Sequence, residues 1–170
     1  MIRPITAADA DAYIRLRREM ISDAPFSFGS SPDQDRASSA EFVHAAVGDS
    51  TAAIFGAFEP DLVGAVGIYR DRTIKGAHHA HVWGVYVRSS YRGRGLGRAL
   101  MNAAIDFARQ LPGVTDVQLA VSERALAAAQ LYTSLGFLTW GIEPAALRID
   151  GVDAAEHHMV LMLSSKERTA

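Results

Sequence analysis

The chain has no cysteine among its 170 residues. That excludes a disulfide framework, a thiolate metal site and a cysteine nucleophile. It also lacks a strong charge of either sign: 17 basic against 19 acidic residues leave a formal net charge of −2, too little for a global field that gathers nucleic acid or anionic membrane. No run approaches the roughly 18 apolar residues of a membrane span. The opening MIRPITAADADAYIRL has no apolar signal-peptide core. No repeat or low-complexity segment is present. These absences point to a soluble cytoplasmic protein with neither a nucleic-acid nor a membrane partner. What is there is ordinary globular composition, 49% hydrophobic and 21% charged, enough for one domain over 1–170.

Hydrophobic periodicity orders the chain. Residues 2–5 read as a short strand, and Thr6 caps a helix carrying Tyr13, Leu16 and Met20. A loop rich in Pro, Gly and Ser covers 24–35. Ser38 and Glu41 then form a capping-box pattern for a second helix, with Phe42 and Val47 inward. Segments 51–58 and 62–70 form a hairpin. The run AHVWGVYV is apolar on both faces, which predicts a central buried strand. Leu96, Leu100, Ala104, Phe107 and Leu111 make a helical stripe that Pro112-Gly113 stops. VQLAV is another strand, and Ser122 caps a helix that runs to Leu135, with Gly136 as its left-handed end. Final strands at 137–142 and 157–163 surround a polar excursion. The expected fold is α/β (α+β), in the order β-α-α-β-β-β-α-β-α-β-β.

Between the central strand and the following helix stands YRGRGLGR. The first amides of a helix have no internal partner and sit at the positive end of its dipole, so a glycine-rich turn there is an anion site. Gly93, Gly95 and Gly97 remove side chains from that point, and Arg92, Arg94 and Arg98 surround it with charge. A P-loop requires Lys and Ser/Thr after its last glycine, whereas Arg98-Ala99 follow here. The dinucleotide fingerprint G-x-G-x-x-G requires glycine where Arg98 stands.

R-x-x-G-x-G, through Arg92, Gly95 and Gly97 after a strand ending VYV, does fit, and it resembles the GNAT superfamily of acyl-CoA-dependent N-acyltransferases. A second segment, AAAQLYTSLGF, is similar to that family's A-x-x-L-Y-x-x-L-G-F signature through Ala128, Leu131, Tyr132, Leu135, Gly136 and Phe137. The resemblance implies a mixed, mostly antiparallel sheet flanked by helices, with acetyl-CoA as co-substrate and no metal. It places the coenzyme pyrophosphate on the turn 92–98, including Leu96, and the pantetheine arm on the backbone of Val85, Tyr86 and Val87. Tyr132 becomes the general acid for the leaving sulfur; its other reading is a core aromatic. Many relatives carry a glutamate where His81 stands, which offers His81 as the base at an imidazole pKa near ~6.5. A satisfied core histidine or a hydroxyl-bonding partner is the alternative. Phe26 and Phe28 wall the acceptor site, or simply pack beneath their loop.

An acceptor ammonium of pKa ~10.4 is only about 0.04 per cent neutral at pH 7, whereas an α-amine of pKa ~7.8 is roughly one-seventh neutral. Without cysteine, direct transfer to a primary amine in a ternary complex is the expected route. Two departures leave a second class open, a non-catalytic acyl-CoA sensor: the glutamate is missing, and Ala125 stands where relatives have a coenzyme-binding asparagine. The segment 141–151 resembles a C-terminal feature of one bacterial branch of the family, and relatives that pair through C-terminal strands suggest a homodimer. His78, His79, His81, His157 and His158 form no recognisable metal-ligand pattern.

Overall fold

The computed structural model describes residues 1–163; the last part of the expected 1–170 domain, 164–170, lies outside the described residues. The elements are β1 (Ile2–Pro4), α1 (Ala10–Asp23), α2 (Ala40–Gly48), β2 (Ala52–Phe58), β3 (Leu62–Arg70), β4 (His79–Val87), α3 (Leu96–Gln110), β5 (Asp116–Ser122), α4 (Leu126–Ser134), β6 (Leu138–Ile149) and β7 (Val152–Met162). Their order is the one expected. They form one seven-stranded sheet, β1-β2-β3-β4-β5-β7-β6, in which only β4 and β5 run parallel.

Each face of the sheet is covered by its own core. On one, α3 sets Leu100, Met101 and Ala104 against Val66, Val82 and Val117, with Tyr132 and Phe137 beside them. The predicted stripe of α3 is therefore the buried one. On the other, Tyr13, Leu16 and Met20 of α1 and Val43 of α2 pack on Ile54, Ala65 and Tyr86. Among the described residues no helix is long and apolar enough to cross a membrane.

Four boundaries differ from expectation. Thr6 caps a short 3-10 turn, Ala7–Asp9, and α1 begins after Asp9. The cap of α2 is Ser39, whose hydroxyl accepts from the Phe42 amide at 3.2 Å; Ser38 instead donates to Asp35. Val43 is buried, and Val47, at the end of the helix, is exposed. α4 starts after Ala125, and Ser122 accepts from the Arg124 amide at 3.3 Å without capping the helix. The polar excursion is strand: β6 and β7 form one hairpin, its register shifted between Thr139 and Gly141 and between Glu143 and Leu147, closed by Asp150 (φ 50°) and Gly151 (φ 78°). Asp-Gly is the residue pair a tight hairpin turn favours, because both central residues need positive φ. Polarity alone concealed it, since β6 is the sheet edge.

Candidate active site

Most of the predicted functional residues line a cleft where β4 and β5 part; His81, Phe26 and Arg94 do not. These strands share only three rungs, His79–Asp116, Ala80–Val117 and His81–Gln118. Beyond them opens a cleft of about 670 Å³, lined by residues 82–87 and 119–122, the glycine turn, and α4 as far as Tyr132. β4 bulges at this point: Ala65 pairs with Tyr86 and Gly67 with Trp83, so Gly84 and Val85 oppose Val66 alone. Gly84 takes the left-handed φ of 62° that the kink needs. A bulge leaves one residue out of the ladder, and here both bulge residues line the cleft.

At the turn, Gly93 and Gly95 have φ of 76° and 79°, and a Cβ on either would meet nothing within 4 Å. Gly95 is the residue preceding α3, so the free amides of Leu96, Gly97 and Arg98 border open space. Gly97 differs, because its Cβ position is 3.4 Å from Leu131 and it serves the contact of α3 with α4.

The arginines are not equivalent. Arg92 pairs with Asp23 at 2.6 Å and donates to the Val87 carbonyl at 2.9 Å. Arg94 is 3.6 Å from Glu59, and Arg88 pairs with Glu19 at 2.8 Å. Arg98 alone of these meets only a neutral partner among the described residues, the Ser134 hydroxyl at 2.6 Å.

Tyr132 lines the cleft and is 5% exposed. Burial pushes its phenol well above the ordinary value, so it is protonated at neutral pH. Among the described residues no fully buried side-chain polar atom lacks a partner, yet none of the described hydrogen bonds engages this hydroxyl; it therefore retains some exposure. Val85, Tyr86, Val87 and Leu96 also line the cleft, as does Phe28. The Tyr86 ring is turned to the α1 side, where burial first and then Asp23, 3.1 Å away, push its phenol up to about 12. Phe26 stands off the cleft lining, under the Arg124 guanidinium at 4.4 Å.

His81 occupies the last paired rung, immediately before the split. It is not among the cleft-lining residues; its Nε2 is 3.5 Å from Asp71 and its ring stacks on Tyr69 with centroids 5.2 Å apart. Neither carboxylate nor imidazole lines the cleft. Away from it, the fold brings His78, His79 and Asp116 within 4.8 Å of one another, a carboxylate neighbour that the sequence pattern did not reveal. Asp116 is already engaged by His79, Thr115 and Gln118.

Sequence reasoning also missed Ala120 and Ser122, which line the cleft from β5. It missed Arg17 as well: 5% exposed and paired with Asp35 at 2.9 Å, it sets its guanidinium 3.2 Å from the Cβ position of Gly84. Alternation along β5 was a signal for the first two; nothing local marks Arg17.

Known proteins share this fold. Over 94 residues the chain is 42% identical to the N-alpha-acetyltransferase RimI of Mycobacterium tuberculosis (strain ATCC 25618 / H37Rv), covering 55% of this chain and 56% of the relative. The chain thus aligns with little more than half the length of that curated relative. The fold superposes on an acetyltransferase of the GNAT family from Streptococcus pneumoniae with a TM-score of 0.86, at 20% identity over 96% of this chain and 99% of the other. It superposes on yncA from Salmonella typhimurium, solved with its cofactor acetyl-CoA, with a TM-score of 0.85, at 20% identity over 97% and 94%. A GCN5-related N-acetyltransferase from Kribbella flavida gives 0.79 at 27% identity over 96% and 97%. Residues 14–137 match the acetyltransferase (GNAT) family as a whole, and with the split strands, the glycine turn and Tyr132 in place, the chain belongs to that family.

Proposed function

We propose that the protein transfers an acetyl group from acetyl-CoA to a primary amine of a peptide or small molecule, by direct attack in a ternary complex. The observation that carries this reading is the gap between β4 and β5, lined by strand backbone, open at the glycine turn and bordered by a protonated Tyr132. The α-amine activity named for the mycobacterial relative, and the acetyl-CoA held by yncA, support the choice of acceptor and donor.

In this reading the amides at the start of α3 receive the pyrophosphate, with Arg98 as the available cation. The bulge at Gly84 and Val85 turns a backbone N–H toward the thioester carbonyl, where a fixed donor stabilises the developing oxyanion. The neutral amine forms the C–N bond and the C–S bond breaks. Tyr132 gives its proton to the departing thiolate, and the nitrogen's surplus proton restores the phenol. The gap is lined from both faces of the sheet, by Leu131 and Tyr132 of α4 and by Ala24, Ser27 and Phe28 beyond α1. That leaves the α1 side to the amine.

The test is release of CoA thiol from acetyl-CoA across peptides with free N-termini, polyamines and amino acids, beside Tyr132→Phe and His81→Ala. Turnover that Tyr132→Phe lowers without loss of acetyl-CoA binding supports the reading. Binding without turnover on every amine supports the sensor alternative, which a cleft lining without carboxylate or imidazole favours.

A further inference from the structure

The cleft lining offers no carboxylate or imidazole to take the proton of an incoming ammonium, yet the strand beyond it does. Ala120 and Ser122 pair across the ladder with His158 and Glu156 of β7. Directly opposed residues of an antiparallel pair project from the same face. Leu119, Val121 and Met159 project into the α3 core, so Ala120, Ser122, His158 and Glu156 share the opposite, α1-side face. The turn Pro25–Ser27 packs over β5 and β6 on that side. Glu143 of β6 is in register with Glu156, and its carboxylate bonds His158 at 3.1 Å. Glu156 is half-buried, and among the described residues no hydrogen bond or ion pair engages its carboxylate. Burial raises its pKa first, His158 opposes the rise and Glu143 adds to it. A half-buried carboxyl with an elevated pKa beside a reaction cleft suits general-base work near neutrality.

We infer that Glu156 receives the acceptor's ammonium group on the α1 side of the cleft and removes its proton, so that the acceptor of this site is a cationic amine. The ammonium N–H bond breaks, the proton passes to a Glu156 carboxylate oxygen, and the freed lone pair attacks the thioester. The proton leaves Glu156 to solvent after product release. Ala120 and Ser122, which line the cleft, are the residues that stand between it and Glu156, and both side chains are small. The inference rests on the transferase reading.

The experiment compares wild type, Glu156→Gln, Glu156→Asp and His81→Ala in thiol release from acetyl-CoA. The acceptors are a short peptide with a free α-amine and hydroxylamine, which is neutral at pH 7. Calorimetric binding of acetyl-CoA is measured in parallel. Glu156→Gln is expected to lower kcat/KM for the peptide about 100-fold at pH 7, with the deficit shrinking as pH rises through the amine pKa. Hydroxylamine turnover and acetyl-CoA affinity should stay within about 3-fold of wild type, a difference under ~1 kcal/mol, and Glu156→Asp should retain more activity than Glu156→Gln. Equal peptide turnover by Glu156→Gln and wild type overturns the role of Glu156 alone, as does a comparable loss with both acceptors. So does a loss confined to His81→Ala. A wild type that binds acetyl-CoA but acetylates neither acceptor overturns the transferase reading and this role with it.

Discussion

Tyr132 and Arg98 divide the proposed work into a chemical and a binding part. Tyr132→Phe removes one hydroxyl from a buried ring and nothing else, so kcat is expected to fall about 10²-fold, the lower end of general-acid contributions. The KM for acetyl-CoA should hardly move, which steady-state kinetics checks. Arg98 is exposed and held by a neutral hydroxyl. Arg98→Ala should raise the KM for acetyl-CoA about 10-fold, as loss of a charge-assisted hydrogen bond predicts, and leave kcat near wild type. Arg92→Ala is of another kind, because it also unpairs Asp23 and should lower thermal stability as well. At this scale the sequence was a partial guide. Arg92, Arg94 and Arg98 look alike around the glycines, and only the fold brings Asp23 and Glu59 to two of them. Tyr132 was legible because its motif fixes a helix end. Glu156 was not, because its relation to the cleft is made across two strands.

The bulge in β4 and the helix that follows are the elements on which the site depends. Trp83 folds its indole over Gly67 of β3, and a Cβ there would lie 2.1 Å from the ring. Phe42 meets the same ring edge-on at 5.5 Å, so the indole has little freedom to withdraw. Gly67→Ala is expected to cost about 1–3 kcal/mol as an overpacked site, read as a melting temperature lower by roughly 2–4 °C per kcal/mol. Acetyl-CoA affinity should fall with it, since Trp83 also borders the cleft. Helical stripes and hairpin turns were legible at this scale because they are local. The stripe of α3 and the β2–β3 hairpin followed from spacing, and the β6–β7 hairpin was announced by Asp150-Gly151 but obscured by polar neighbours. The parting of β4 from β5 is different: both strands are apolar, and nothing within either sequence marks where their pairing stops.

For the molecule as a whole, buried charge couples stability to pH. Arg17 and Asp35 join α1 to the segment before α2, with side chains 6% and 2% exposed. Removing one partner of such a pair costs about 3–5 kcal/mol, so Asp35→Ala should destabilise the protein strongly in urea. Burial pushes the Asp35 carboxyl up, and hydrogen bonds from Arg17 and Ser38 outweigh it and hold the group below its ordinary range. Asp49 is held low as well, chiefly by the Thr51 hydroxyl and amide. Because these pKa values are depressed in the folded state, the unfolded chain binds more protons as pH falls below its own value of about 3.9. Stability should be fully present above that pH and decline through the folded values below it, and urea midpoints between pH 6 and 2 would show it. Asp35→Asn should flatten that acid limb.

The most direct test of the account is the set of backbone amides that respond when acetyl-CoA is added to isotopically labelled protein. The account predicts the largest shifts along Val82 to Val87 and Gly93 to Arg98, with Ala120 and Ser122 next. Shifts confined to surfaces away from the β4–β5 gap, or none at saturating acetyl-CoA, would contradict it.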